Sequence, residues 1–305
     1  IKYAINKIKM TTSDIKTFYT INNIKKNGVS NNVGLEVRTK REDGTPAYTN
    51  SIKQQFFQYD ILDNHQPISE LKPLAMKMAI SEMLWIYQMQ SNRLEDAHKL
   101  GITWWDNWEI KNNNLFKGTI GMAYGYVVKN LNLINTLLYD LQHNPLSRRH
   151  IMNLWQTDYV IKQDELGGLN PCAYETLWSI DVINGERFVY LHLNQRSQDY
   201  AVTNSINPFQ YMALGMAICS HLEFHTGIKY KLKVLTHFIM DCHIYHRHFD
   251  WVDEINNHVS DIDYEVNNPI LELNVVKDFF DIKVEDYTFP KLNCYKPKTK
   301  LELAL

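Results

Sequence analysis

Cysteine is scarce and unpatterned in this chain. Cys172, Cys219, Cys242 and Cys294 are the only four, and no two stand in a CxxC spacing. That removes a zinc knuckle and a disulfide framework from consideration and fits a reducing cytoplasm. No run approaches the roughly 20 uninterrupted apolar residues of a membrane span. The opening stretch, IKYAINKIKMTTSD, lacks the apolar region and small-residue cleavage site of a secretion signal, and its first Met is Met10. A charge excess of one sign is missing too. Lys and Arg total 32 against 34 acidic residues, a formal charge of -2. No basic nucleic-acid surface is expected, although a local arginine cluster suffices for a small anion. Internal repeats and Gly/Ser linkers are absent, which favours one domain over two in 305 residues.

What is present is the 45% hydrophobic and 22% charged balance of a chain that buries a core. From Lys77 to Gln90, KMAISEMLWIYQMQ carries apolar side chains on nearly every face and strong helix formers, so a buried helix containing Glu82 is expected. A second such helix is expected from Asn207 to His225, with Pro208 tolerated in its first turn and Gly227 as its stop. Between them lie the strand-like runs HIMNLW from His150, AYETLWSIDV from Ala173 and RFVYLHLNQ from Arg187. Asn184-Gly185 is a hairpin signal joining the last two. A further strand is expected from Lys231 to Met240. The elements add up to a largely antiparallel or mixed sheet carrying long buried helices, an α+β or α/β layer fold.

Cys172 heads one strand in LNPCAYE, and the cluster NQRSQD ends the next, so adjacent strands would bring Arg196 beside the thiol. A nearby guanidinium lowers a thiol's pKa and favours the nucleophilic thiolate; against this, a lone cysteine is more often a small buried hydrophobe. Arg148 and Arg149 follow the turn signal NPLS, where strand alternation would point them to opposite faces. They read either as solvated surface charge or as phosphate ligands, as do Arg38 and Arg41. His221 and His225 form an i,i+4 pair and His243, His246 and His248 crowd one segment, but no third ligand is evident and no metal is expected. GTIGMAYG follows no strand-like run and lacks the Lys of a P-loop, so it is expected to be a turn.

The pieces SEMLWIYQMQSN, ITWWDNWE, GTIGMAYGY, SRRHIMNLW, LNPCAYE, NQRSQD, the asparagine of SINPFQY and DCHIY stand in an order that resembles the thymidylate synthase family. The resemblance runs from about Asn27 to the C-terminus, and VRTKREDGTPAYTNS and PCAYET look like its divergent bacterial and phage branch. It implies a mixed twisted sheet with long buried helices, a single catalytic domain over 1–305 with residues 1–20 as a poorly packed extension, and a sheet-to-sheet homodimer. It implies dUMP as substrate and methylenetetrahydrofolate as co-substrate. By the same resemblance Cys172 would add to C6 of the pyrimidine, Glu82 would relay protons and Tyr124 would assist proton removal from C5. Arg196, Ser197 and Arg38 would hold the phosphate with Gln195 beside them, and Arg148 and Arg149 would reach into the partner's site. Asn207 would donate to O4 and accept from N3–H of uracil, a pattern that cytosine reverses. His243 and Tyr245 would bind the ribose hydroxyl. Asp199 would hold the pterin, Trp105 and Trp108 would line the folate wall, Lys72 would lie near the glutamate tail, and Leu305 would end a closing apolar tail.

Ala173 stands where much of the family has His, VTNSIN lacks the usual Gly and Pro-Phe before the asparagine, Met240 replaces a Gly, and Trp104 replaces a smaller apolar residue. VTNSIN and Met240 keep a hydroxymethylase using the same folate as an alternative, while Trp105 and Asn207 favour the methylating, uracil-directed enzyme. A catalytically silent nucleotide- or RNA-binding protein is a second alternative, whose expected mark, loss of Cys172 or Glu82, is absent.

Overall fold

The structure is a computed structural model that describes residues 8–259 and 264–302. Its strands are β1 (Ile8–Met10), β2 (Val29–Ser30), β3 (Thr49–Asp60), β4 (Ile151–Asn153), β5 (Ala173–Ile183), β6 (Glu186–Asp199), β7 (Tyr230–Tyr245), β8 (Tyr264–Val266), β9 (Glu272–Leu273) and β10 (Tyr287–Thr288). Its helices are α1 (Thr12–Asn27), α2 (Met76–Met83), α3 (Leu94–Lys99), α4 (Gly125–Asn130), α5 (Leu133–His143), α6 (Thr157–Glu165), α7 (Tyr200–Thr203), α8 (Ile206–Thr226) and α9 (Phe249–His258). Six strands form the central sheet in the order β2-β3-β7-β6-β5-β4. All its pairs are antiparallel except β6 with β7, so the sheet is mixed. Parallel neighbours need a crossover, and α7 with α8 supplies it.

Alternation sorts the two faces of the sheet. On β6, Val189, Leu191, Leu193 and Gln195 are buried, while Phe188, Tyr190, His192 and Asn194 remain half-buried. The β5–β6 hairpin turns through Asn184 (φ 53°) and Gly185 (φ 84°), the left-handed pair expected of an Asn-Gly type I′ turn. Helix α8, apolar on nearly all sides, is buried through most of its length and touches both α2 and the sheet. It ends at Gly227 (φ 67°), whose N–H donates to Glu223 O at 2.8 Å. A Cβ on Gly215 would stand 2.9 Å from a Leu232 methyl, so a larger residue there would make that side chain shift where the helix lies against β7.

The structure departs from the sequence reading at several points. The segment from Lys77 to Gln90 is not one α-helix, because α2 passes at Met83 into a π-helical turn over Leu84–Gln88. Such wide turns concentrate at functional sites, and this one begins two residues after Glu82. Residues 12–20, expected to pack poorly, belong to α1, where buried Asp14 closes a capping box with Thr11 and accepts the Ser69 hydroxyl at 2.6 Å. Strand β3 carries no local strand pattern, because TNSIKQQFFQYD is polar and broken by Gln54 at φ 57°. Its order comes from pairing with β7 over 11 residue pairs. Arg148 and Arg149 lie exposed on the connection before β4 rather than on a strand, so alternation does not orient them.

Candidate active site

Cys172 precedes β5, and Arg196 lies near the end of β6. The register pairs Ala173 with Gln195, and the Arg196 N–H donates to Cys172 O at 2.9 Å, so the expected juxtaposition is realised. The Arg196 guanidinium stands 3.6 Å from Cys172 Sγ while Nε donates to Pro171 O and Nη2 to Asn170 O, both at 2.9 Å. Its guanidinium carbon sits 5.5 Å from the centre of the Trp155 ring. Carbonyls and an aromatic face hold the cation, which leaves its charge for an anionic ligand. Burial nevertheless pushes the Cys172 thiol up by more than Arg196 draws it down. The expectation of a lowered thiol pKa is corrected accordingly: Arg196 is shared with two carbonyls, and desolvation outweighs it.

Tyr124, the residue before α4, accepts the Cys172 backbone N–H on its hydroxyl at 3.1 Å. Its backbone lies at φ 49°, ψ -112°, a strained conformation for a tyrosine that costs about 1–3 kcal/mol and marks functional positions. Its ring meets Trp105 edge-on at 5.2 Å, and Trp105 meets Trp108 at 5.5 Å. Trp105 Nε1 donates to Glu82 Oε1 at 3.1 Å, and Gln210 Nε2 donates to Glu82 Oε2 at 3.0 Å. Burial pushes the Glu82 carboxyl up to about 7, against the hydrogen bonds from Trp105, Gln210 and Trp104 that hold it down. A carboxylate poised there serves acid-base work near neutral pH.

That shift carries a stability cost with a definite sign. Below the ordinary value of 4.5 the carboxyl is protonated folded or unfolded; between 4.5 and 7 only the unfolded chain gives up its proton, so stability falls as pH rises. The full difference is about 3 kcal/mol for a group this buried. Glu82→Gln removes the titration, so in urea unfolding the variant gains about 2–3 kcal/mol on wild type between pH 4.5 and pH 8. A variant-minus-wild-type difference that is the same at both pH values would refute a raised Glu82 pKa.

Around this centre, His243 Nδ1 meets Asp241 Oδ1 at 2.9 Å and its ring packs edge-on to Tyr245 at 5.3 Å. Ser197 pairs with Asp241, and Asp199 with His243, at the same end of the β6–β7 ladder. Asp199 Oδ1 caps α7 through the Val202 N–H at 3.4 Å; its Oδ2 is buried without a partner among the described residues. Lys72 is buried beside it, donating to Ala201 O at 2.8 Å and to Val202 O, with its pKa lowered to about 7 by burial. Asn207 lies at the start of α8. Its Oδ1 accepts from Gln195 Nε2 at 3.1 Å and from Gln198 Nε2 at 3.3 Å, and its Nδ2 donates to Gln210 Oε1 at 3.2 Å.

The family model for thymidylate synthase matches residues 20–305. The thymidylate synthase of Streptococcus sanguinis strain SK36 is 37% identical over 300 residues, 97% of this chain and 100% of the relative. That of Streptococcus pneumoniae strain 70585 is 38% identical over 301 residues, with the same shares covered. The chain belongs to the thymidylate synthase family. A solved thermostable thymidylate synthase A from Bacillus subtilis has a TM-score of 0.76 at 35% identity, covering 96% of this chain and 99% of that one. Thymidylate synthases are methyltransferases that bind dUMP, take methylenetetrahydrofolate as co-substrate, need no metal and are typically dimeric.

The structure brings most of the candidate side chains together around Cys172 and Glu82, but not all. Arg38 is exposed and bonds Asp164 Oδ1 at 3.1 Å, an atom that also accepts Asn170 Nδ2 at 2.9 Å, so it reaches the Cys172 loop only through intermediaries. Lys72 turns inward to the backbone of α7 rather than outward to a glutamate tail. Leu305 lies outside the described residues. Gln198 and Gln210 were not singled out, although a glutamine three residues after Asn207 in an otherwise apolar helix is a readable signal. Among the described residues, His221, His225 and Asp278 form one group of metal-ligand composition. It lies about 20 Å along α8 from Asn207. His225 Nε2 bonds Asp278 Oδ2 at 2.5 Å and His221 Nδ1 accepts the Phe279 N–H at 3.1 Å, so these groups clip the end of α8 to the following chain.

Proposed function

We propose that Cys172 carries the family's reductive methylation of dUMP to dTMP by adding its thiolate to C6 of the uracil, which makes C5 the attacking carbon. The observation that carries this reading is Arg196 at 3.6 Å from the Cys172 sulfur, with Tyr124 linking the Cys172 N–H to Trp105, which in turn donates to Glu82. Methylenetetrahydrofolate supplies the carbon and the hydride and leaves as dihydrofolate. Arg196 and Ser197 hold the phosphate, with Arg38 at its outer side, and His243 and Tyr245 take the ribose hydroxyl. Gln195 steadies the Asn207 amide, which donates to O4. Tyr124 and Glu82 handle the protons lost at C5 and gained at O4. The unpartnered, buried Oδ2 of Asp199 is an acceptor for pterin N–H groups, with Trp105 and Trp108 as the ring wall, Lys72 beneath it and Leu305 in the closing tail.

The half-buried face of the sheet, with Phe188 and Tyr190 on β6, supports a homodimer in which Arg148 and Arg149 complete the partner's phosphate site. The four free cysteines suit a reducing cytoplasm, and no described helix is long and apolar enough to cross a membrane. The test is incubation with dUMP and methylenetetrahydrofolate. A methylated nucleotide, with dihydrofolate formed in equal amount and kcat/KM for dUMP at least about tenfold above that for dCMP, is expected. A product heavier by one oxygen, with no dihydrofolate, would mean hydroxymethylation instead.

A further inference from the structure

Four amides and one imidazole form a directed chain of hydrogen bonds into Glu82, and its direction is fixed by groups that cannot reverse. Gln195 Nε2 donates to Ser197 O at 3.0 Å and Gln198 Nε2 donates to Thr203 O at 3.0 Å. A backbone carbonyl only accepts, so both amino ends must face these oxygens. Gln195 then presents Oε1 to His237 Nε2 at 2.8 Å, and burial, which pushes the His237 pKa down to about 3, keeps that ring neutral. Both amino groups also face one end of the Asn207 amide, which must therefore be its oxygen. Asn207 Nδ2 is left facing Gln210 Oε1, and Gln210 Nε2 faces the carboxylate of Glu82, which in its ionised form is also acceptor-only. Turning Gln210 over would set nitrogen against nitrogen and oxygen against carboxylate. Gln210 is 2% exposed, so water cannot relieve either clash.

We propose that Gln210 is a positioning residue for this reaction, joining the amide that meets the pyrimidine edge to the buried carboxylate. This rests on the reading that the Cys172 site takes a pyrimidine nucleotide with its base at Asn207. Both lone pairs of Asn207 Oδ1 are spent on Gln195 and Gln198, and one Nδ2 hydrogen on Gln210, so the amide offers a ligand its remaining N–H. A 4-keto pyrimidine accepts that hydrogen, whereas a 4-amino pyrimidine meets it with another donor. The opposite end of Gln210 donates to Glu82 and stabilises its charged form. The titratable groups facing Glu82 are Tyr124 before α4, Tyr87 on the π turn and Tyr211 on α8; burial holds all three well above their ordinary range, so none ionises near neutrality.

The experiment compares wild type, Gln210→Met and Gln210→Glu by the pH dependence of kcat with dUMP and by the ratio of kcat/KM for dUMP to that for dCMP. The inflection belonging to Glu82 is the one that Glu82→Gln removes. Methionine keeps the volume and loses both bonds, so the inflection should rise by about one pH unit and the ratio should fall about tenfold, the weight of one buried hydrogen bond. Glutamate still accepts from Asn207 but cannot donate as a carboxylate to Glu82, so the ratio should hold while the inflection rises. This second variant also carries the test if the methionine protein does not fold. Folded variants with the wild-type inflection and the wild-type ratio would overturn the proposal while dUMP turnover by wild type stands. Wild type that does not convert dUMP would instead overturn the underlying reading, and this proposal with it.

Discussion

Cys172→Ala is expected to lower kcat on the order of 10⁴-fold or more while calorimetry finds dUMP still bound, because the thiolate makes the covalent bond and the arginines hold the phosphate. Alanine substitutions at Cys219, Cys242 and Cys294 should leave the chemistry running. Cys219 and Cys242 are buried in the core, and burial pushes their thiols up with no cation to offset it. The state of the Cys172 thiol offers a second readout. Since burial holds its pKa above the ordinary value of 9.0 and Arg196 pulls the other way, alkylation by iodoacetamide should accelerate only at high pH. Arg196→Met should push that pH dependence higher still. Turnover by Cys172→Ala within tenfold of wild type would remove the residue from the mechanism.

Mixing two nearly silent proteins should restore activity if the arginines act across the dimer. A subunit with Arg148→Ala and Arg149→Ala loses two charge-assisted contacts to phosphate, and below KM its kcat/KM should fall about a hundredfold or more. When it pairs with a Cys172→Ala subunit, two-fold symmetry puts both lesions into one site and leaves the other whole. Half the dimers in an equal, freely exchanged mixture are hybrids with one good site, so about a quarter of wild-type activity should return. No recovery, with hybrid dimers seen by native mass spectrometry, would place both arginines outside the partner's site. Neither guanidinium has a hydrogen-bond or ion-pair partner among the described residues, and both are exposed, which leaves them available to a partner.

How much of this was legible in the chain depends on the range of the interaction. That Cys172 and Arg196 lie near one another follows from a hairpin, since Asn184-Gly185 sets the turn and the register as far as Glu175 and Asn194, but the one-residue bulge between Ala173 and Glu175, which sets the final pairing, carries no local mark. Helix α8 was legible because apolar periodicity, Pro208 and Gly227 are all local marks. Strand β3 was not, because its polar sequence becomes a strand only by pairing with β7, nearly 200 residues away in the chain.

The sequence by itself determined the order of the chemistry-bearing segments, the apolar helix α8 and the β5–β6 hairpin, since each rests on near-neighbour geometry. Only the tertiary structure decided the proton affinities and the hydrogen-bond directions. Glu82 reaches Gln210 across 128 positions, and the same burial that raises Glu82 to about 7 also raises Cys172 against its arginine. Desolvation depends on everything packed around a group, and the direction of an amide on what both its ends meet, so neither can be read from residue type or spacing.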